Sequence, residues 1–516
     1  MENVHVGRTL SVLMAGAFIS ILNQTLINVA IPHMMNDLNV SATTIQWLST
    51  AYMLVNGVLI PISAYLIERF GIRALFIFAM GAFSAGSVIC AMAPNFAVLL
   101  IGRIVQACGA GIIMPLIMNV FLILFPPERR GAAMGMMGIV IIFAPAVGPT
   151  LSGWIVENHS WRVLFTIMIP LGIVDLLLAI SWLQNLTKLS KPKLDVPGFL
   201  FSTIGFGTLL YGFSEAGTKG WGSGTVVTSL IVGALFLAAF IWRELTMESP
   251  MLEFRVFKYD VFTITTIIGS CINMAMLGAM LLLPIYLQNI RGFTPLQSGL
   301  LLLPGALLMG VMSPISGALF DRIGARPLAV LGLIITAVTT YEFSKLTSDT
   351  PYSHIMGLYT MRMFGMSLLM MTVQTAGLNQ LPRQLGSHGN AMSNTMRQVA
   401  GSIGTALLVT VMSNRATYHL GNYANNVTSA NSYVAETFHQ IGQGLSLMAG
   451  LPPSASDLMA TQVVYGLASQ QSAISGINDA FVVATGITLV GLFFSFFVRR
   501  VKAGGKAPAA KNAHGK

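Results

Sequence analysis

Charge is what this chain has least of: Asp, Glu, Lys and Arg together make up 9% of its 516 residues, while 54% are hydrophobic. A water-soluble domain carries roughly a quarter charged residues, so so much apolar surface has to lie in a bilayer. Cysteine is scarce as well. Cys90, Cys108 and Cys271 all fall inside apolar runs, which excludes a disulfide framework or a zinc site built on thiols. No P-loop is present to power an ATP-driven pump. His33, His159, His354, His419 and His439 stand at irregular spacings in the polar connections, and nothing in their neighbourhood forms a metal or nucleophile constellation. No small-residue cleavage site follows the first apolar run, so that run reads as a retained helix and not a signal peptide.

What the chain does contain is a succession of apolar runs of spanning length. They lie near 9–31, 44–66, 74–93, 97–122, 131–155, 161–183, 198–216, 225–242, 262–287, 296–320, 327–345, 353–378, 396–413 and 476–498. Their order predicts an all-α polytopic protein of fourteen spans. Lys and Arg fix the orientation, because cytoplasmic connections collect them. One set of connections carries Arg8, Arg69, Arg73, Arg129, Arg130, Lys188, Arg243, Lys258, Arg322, Arg326, Arg397 and Arg499; the other has only Arg162, Lys219, Arg291, Lys345 and Arg415. Both termini are therefore expected in the cytoplasm. The formal net charge of +10 follows from this topology and requires no nucleic-acid partner, and the basic tail 501–516 reads as an anchor at anionic lipid headgroups.

The stretch Pro61-Ile-Ser-Ala-Tyr-Leu-Ile-Glu-Arg-Phe-Gly-Ile-Arg73 returns as Pro314-Ile-Ser-Gly-Ala-Leu-Phe-Asp-Arg-Ile-Gly-Ala-Arg326, each time where an apolar run ends. Identity falls at Pro-Ile-Ser and at the Arg, Gly and Arg of the turn, with Glu68 matching Asp321. The repeat implies two related halves, the usual construction of secondary transporters. Expected boundaries are 1–190 for a first six-helix bundle, 191–260 for an inserted helix pair with its connections, 261–500 for a second six-helix bundle, and 501–516 for the tail. The second bundle includes a polar outer excursion, 414–475, whose segment from Ser432 to Ser446 is expected to form short helices on the membrane surface or over a cavity mouth.

The pattern G-x-L-x-D-R-x-G-R carried by this repeat resembles the cytoplasmic-loop signature of the major facilitator superfamily. Fourteen spans, Asp195-Val-Pro-Gly198 with Gly220-Trp221, Leu303-Pro304-Gly305 and Asn394-Thr-Met-Arg-Gln398 are similar to its EmrB/QacA-type drug:proton antiporter branch. The resemblance implies two pseudo-symmetric six-helix bundles, export of amphipathic or lipophilic compounds by alternating access, and a bacterial plasma or inner membrane. A proton gradient would be the energy source and no cofactor is expected. Protons, the small-molecule substrate and membrane lipids would be the partners; a periplasmic adaptor is not readable from the chain. An exporter or flippase of a lipid-like or specific metabolite, or a proton-coupled nutrient importer or uniporter, would share the fold.

Ionisable residues inside spans are costly and mark function. In span 4, Arg103, Gln106, Ala110 and Met114 share one helical face. They resemble the family's R-x-x-Q-G motif, with Ala107 in place of Gly, whose Arg is implicated in proton coupling. Asp175 in span 6 is the preferred proton site, since a carboxyl taken out of water favours its neutral form; Glu342 and Asp479 near outer span ends are further candidates. The family's span 1 motif places an Asp where this chain has Asn23, so its usual carrier is absent, while Gln24 and Asn28 remain as hydrogen-bonding groups. Substrate-cavity candidates are Asn23, Gln24, Asn28, Trp47, Tyr52, Asn56, Gln106, Met114, Asn273, Tyr286, Gln288, Arg362, Met366 and Gln374. The abundant methionines suit a pocket that accepts several apolar shapes. Gating is expected from Glu68, Arg69, Asp321 and Arg322 as ion pairs, from Gly71, Arg73, Gly324 and Arg326 at the two turns, and from the kinked span 5 with Pro145, Gly148, Pro149 and Gly153.

Overall fold

The computed structural model describes residues 6–40, 42–125, 130–185, 195–247, 252–382, 385–426, 432–449 and 453–499. The tail 501–516, the basic connection 186–194 and Arg129 lie outside the described residues. Among the described residues every regular element is helical: α1 (Val6–Leu38), α2 (Ala42–Ala91), α3 (Phe96–Leu124), α4 (Arg130–Asn158), α5 (Val163–Trp182), α6 (Val196–Lys219), α7 (Gly224–Thr246), α8 (Asp260–Ile285), α9 (Pro295–Ile323), α10 (Ala325–Glu342), α11 (Tyr352–Gln380), α12 (Gly386–Asn426), α13 (Ser432–Ala449) and α14 (Pro453–Ser495). Ten stretches among the described residues are long and apolar enough to cross a membrane.

Local chemistry sets several boundaries. Asn95 caps α3, its side-chain oxygen accepting from the Val98 N–H at 3.0 Å. Thr294 and Gln297 form a capping box at the start of α9, with Pro295 as first helical residue. Gly71 breaks the continuous rod of α2 at φ 77, ψ 166, and Gly324 separates α9 from α10 at φ 87, ψ 176. Only glycine adopts that region readily. The repeated motif therefore makes the same backbone turn twice.

Side chains of α1 to α5 build one core, around Leu13, Phe76, Phe83, Ile113, Phe121 and Phe165; clusters around Leu333, Leu369, Leu283 and Phe481 join α8, α10, α11 and α14. The two groups of helices meet along two seams: α4 runs against α9, and α2 against α12. The hairpin of α6 and α7 sits on the second seam, with α6 touching both α2 and α12. Trp47 packs against Tyr211 of α6, ring centroids 5.4 Å apart and planes tilted by 35°. On the other side, the Trp221 indole N–H donates to Thr410 Oγ1 of α12 at 3.2 Å.

The excursion 414–475 differs from the expectation. The segment expected to be helical, Ser432 to Ser446, falls within α13, but on either side of it, in place of polar loop, α12 and α14 continue as rods of 41 and 43 residues. At 1.5 Å per residue each is about 60 Å long, twice the hydrocarbon thickness of about 30 Å. The helix α13 between them lies against α14. Composition misled here because a polar helix outside the bilayer carries no hydropathy signal.

Candidate functional site

A cavity of about 370 Å³ lies where the two groups of helices face each other. Its walls come from α1, α2, α3 and α4 on one side and from α8, α11 and α12 on the other. Thioethers dominate the apolar part: Met53, Met114, Met118, Met137, Met276, Met280, Met370 and Met371. Gln24, Tyr52, Asn56, Asn273 and Gln374 line it, as does Pro145 of the kinked α4.

Arg103 reaches this cavity from α3 although its residue is only 1% exposed. Its Nη1 donates to Asn23 Oδ1 at 2.7 Å and to Gln106 Oε1 at 2.9 Å. The Gln106 amide in turn donates to Ser87 Oγ at 2.8 Å, and the guanidinium lies 4.2 Å from the centre of the Tyr52 ring. Nε is buried without an acceptor among the described residues. Asn23 and Gln106 are thus not substrate-facing; they hold the arginine from behind. Asn23, where the family motif has Asp, accepts a hydrogen bond from Arg103 without neutralising it.

Close helix contacts make this possible. A Cβ on Gly109 would lie 2.1 Å from the Ala79 carbonyl oxygen, and one on Gly148 would lie 2.2 Å from Thr25 Oγ1. The Ser152 hydroxyl, next to buried Pro149 and Gly153, donates to the Leu26 carbonyl at 2.6 Å. Glycine at these positions lets α3 approach α2, and α4 approach α1, at backbone distance.

A second arginine lines the opposite wall, and sequence reasoning misplaced it. Arg397, counted with the cytoplasmic connections, lies inside α12 and on the cavity. Its Nη1 donates to Gln374 Oε1 at 3.0 Å and its Nη2 to Asn394 Oδ1. Asn273 Nδ2 donates to the Arg397 carbonyl oxygen at 2.7 Å. Polar flanks, Asn394 before it and Gln398 after it, gave it the look of a connection. The signal that could have placed it is that Asn390, Asn394 and Arg397 recur at helical spacing.

Asp175 is buried in α5 at 2% exposure, but it does not meet Arg103. Both carboxyl oxygens lack a hydrogen-bond partner among the described residues, and a Cβ on Gly16 of α1 would lie 2.9 Å from Oδ2 and 2.6 Å from the Phe76 ring. The two proton-coupling candidates are therefore apart: Asp175 is an acid at the α1–α2–α5 contact, outside the cavity lining. Glu342 pairs with Lys345 at 2.7 Å on the surface. Asp479 accepts from the Arg415 Nε and lies 3.0 Å from His419 Nε2.

Five other candidates stand away from the cavity. Arg362 is buried in α11, donating to the Ala275 carbonyl at 3.3 Å. Met366 belongs to the core. The Tyr286 hydroxyl donates to the Thr347 carbonyl at 2.5 Å, and neighbouring Gln288 is half-buried at the end of α8. Trp47 is engaged by Tyr211. The side chain of Asn28 lies outside the described residues. At the turns, Glu68, Arg69, Asp321 and Arg326 are exposed, and Arg69 and Asp321 form no ion pair among the described residues. The Arg73 Nη2 donates to the Ile180 carbonyl at 2.8 Å and its backbone N–H to Asn185 Oδ1 at 3.1 Å, so this arginine braces α2 on α5 within one half.

Two facing helical groups, repeated Gly-containing turns and a cavity between them define a multi-span transporter and not an enzyme. The chain belongs to the Major Facilitator Superfamily, whose family model matches residues 13–405. It is 52% identical to the MFS-type transporter YhcA of Bacillus subtilis, over 96% of this chain and 93% of that protein. It is 41% identical to the lincomycin resistance protein LmrB of Listeria monocytogenes, over 95% of this chain and 96% of LmrB. The crystal structure of the human organic anion transporter MFSD10 superposes with a TM-score of 0.63 over 96% of this chain and 100% of that one; at 12% identity this shows the fold alone.

Proposed function

We propose that this protein is a proton-coupled exporter of amphipathic small molecules, working by alternating access through fourteen spans in a plasma membrane with both termini cytoplasmic. The observation that carries the reading is the methionine-lined cavity shared by both helical groups. Flexible thioethers fit apolar bodies of differing shape. Relatives named for lincomycin and multidrug resistance, at 41% and 29% identity, support export over uptake.

Proton coupling is assigned to Asp175. With Asn23 unable to titrate, a buried acid free of hydrogen-bond partners among the described residues is the natural carrier. Neutral, it fits the apolar contact among Gly16, Phe76 and α5; ionised, it is costly to bury and favours an arrangement in which water reaches it. The proton would thus act on helix packing, while Arg103 holds α3 to α1 through Asn23 beside the substrate.

The test is efflux of a lipophilic dye from proteoliposomes with and without an imposed proton gradient, comparing the native chain with Asp175→Asn. Gradient-driven movement that disappears in the variant is the expected result. Movement indifferent to the gradient, or unchanged in Asp175→Asn, would overturn the assignment.

A further inference from the structure

Among the described residues the lining of the cavity contains two arginines and no Asp or Glu. Every side-chain hydrogen bond from either guanidinium goes to a carboxamide: Asn23 and Gln106 for Arg103, Gln374 and Asn394 for Arg397. A carboxamide oxygen satisfies a donor but leaves its charge uncompensated. The ionisable groups that face Arg103 are Tyr52 and Cys90, and no acid acts on Arg397. Asp175 is turned into the contact with Gly16 and Phe76. Two positive charges thus share a pocket whose other walls are thioethers, aliphatic groups and uncharged polar side chains such as Gln24 and Asn56, none of which supplies a counter-charge. A lipophilic cation entering it would meet repulsion with nothing to offset it.

We propose that the cavity selects amphipathic anions: a molecule with one carboxylate, or a comparably compact negative group, on an apolar body. The anionic head supplies the counter-charge that the chain withholds, with the unpartnered Nε of Arg103 as its first donor, and the body lies on the methionines. Guanidinium suits this task because it stays charged and offers a planar fork to a carboxylate. The inference rests on the cavity being the transport site, as proposed above, and narrows its substrate class.

The test uses the full chain in phosphatidylcholine nanodiscs and three fluorescent probes with one body: a dansylamino-alkyl carboxylate, its methyl ester and its trimethylammonium analogue. Empty nanodiscs give the lipid-partition background. The carboxylate is expected to bind at least about tenfold more tightly than the trimethylammonium probe, equivalent to ~1.4 kcal/mol. In Arg103→Gln/Arg397→Gln the two should fall within about threefold of each other. The ratio of carboxylate to ester binding, which a general loosening of the pocket would leave as it is, should fall in that variant, and Arg397→Lys should retain the preference. Equal or tighter binding of the cation, a preference that survives the double Gln substitution, or absence of binding by all three probes would overturn the proposal. Gradient-driven efflux of cationic dyes without carboxylate preference would leave the export reading standing and remove this one. Carboxylate preference with gradient-indifferent transport would do the reverse.

Discussion

Gly299 offers a direct way to move the two helical groups apart. It lies near the start of α9, at the end of the bundle opposite the Gly324 turn, and faces α4. A Cβ there would stand 2.8 Å from both the N and the Cα of Thr150 and 2.9 Å from the Pro149 carbonyl carbon. Ordinary carbon contacts begin near 3.5 Å, so Gly299→Ala demands a separation of roughly half an ångström or more. The obstacle is backbone, which cannot rotate aside as a side chain would. Overpacking of this kind costs about 1–3 kcal/mol, and because only the arrangement with α4 against α9 suffers, the closed-to-open ratio at this end should fall about 5- to 150-fold. Spin labels at the exposed Glu157 and Asn289, in a background with Cys90, Cys108 and Cys271 replaced by alanine, would report the change as a growing long-distance population. Gly357→Ala is the matched control, since a Cβ there meets nothing within 4 Å. If Gly299→Ala leaves the distance distribution like that of the control, the α4–α9 contact does not hold the closed arrangement.

Other expectations concern the turns, the Arg103 pair and the surface. Gly71→Ala and Gly324→Ala should each cost about 1–3 kcal/mol through backbone strain; thermal unfolding no lower than that of Gly357→Ala would refute this. Asn23→Asp places a carboxylate on Arg103 and should weaken binding of a carboxylate probe about tenfold, read in the nanodisc assay; unchanged binding would mean that the arginine does not serve the ligand. Asp37 is held below the usual carboxylate range, first by its 2.8 Å hydrogen bond from Arg162 and then by the Trp161 indole N–H at 2.9 Å. Its contribution is therefore complete above the unfolded pKa of about 3.9 and lost as pH falls through the lower folded value. The difference in melting temperature between the native chain and Asp37→Asn should be flat at neutral pH and shrink as pH falls below the unfolded value of about 3.9; a difference that grows on acidification would reverse the sign of the argument.

Particular residues show what the sequence could and could not convey. The duplicated turn was legible because Gly71 and Gly324 need a backbone region closed to other residues, and that need is written in residue type. Gln24, Tyr52, Asn56, Met114, Asn273 and Gln374, candidates by residue type and by position within a span, do line the cavity. Arg362 and Arg397 exchanged roles: the first seemed embedded and cavity-facing but is spent on a backbone carbonyl, while the second seemed a loop cation and faces the cavity. Which side of a helix meets a cavity depends on rotation about its axis, and a span polar or apolar on all sides does not encode that. The separation of Asp175 from Arg103 was illegible for the same reason.

The α6–α7 hairpin gives the molecule a handed mechanical character that its duplicated halves lack. With α6 fastened to α2 through Trp47 and Tyr211 and to α12 through Ala216 and, just past its end, Trp221, both on Thr410, one seam is laminated by a helix pair that, among the described residues, the α4–α9 seam does not have. Parting the α4–α9 seam disturbs one interface; parting the α2–α12 seam must shear two. A rocking cycle built on this frame would resemble a door hung on one side more than a balance tipping about its centre.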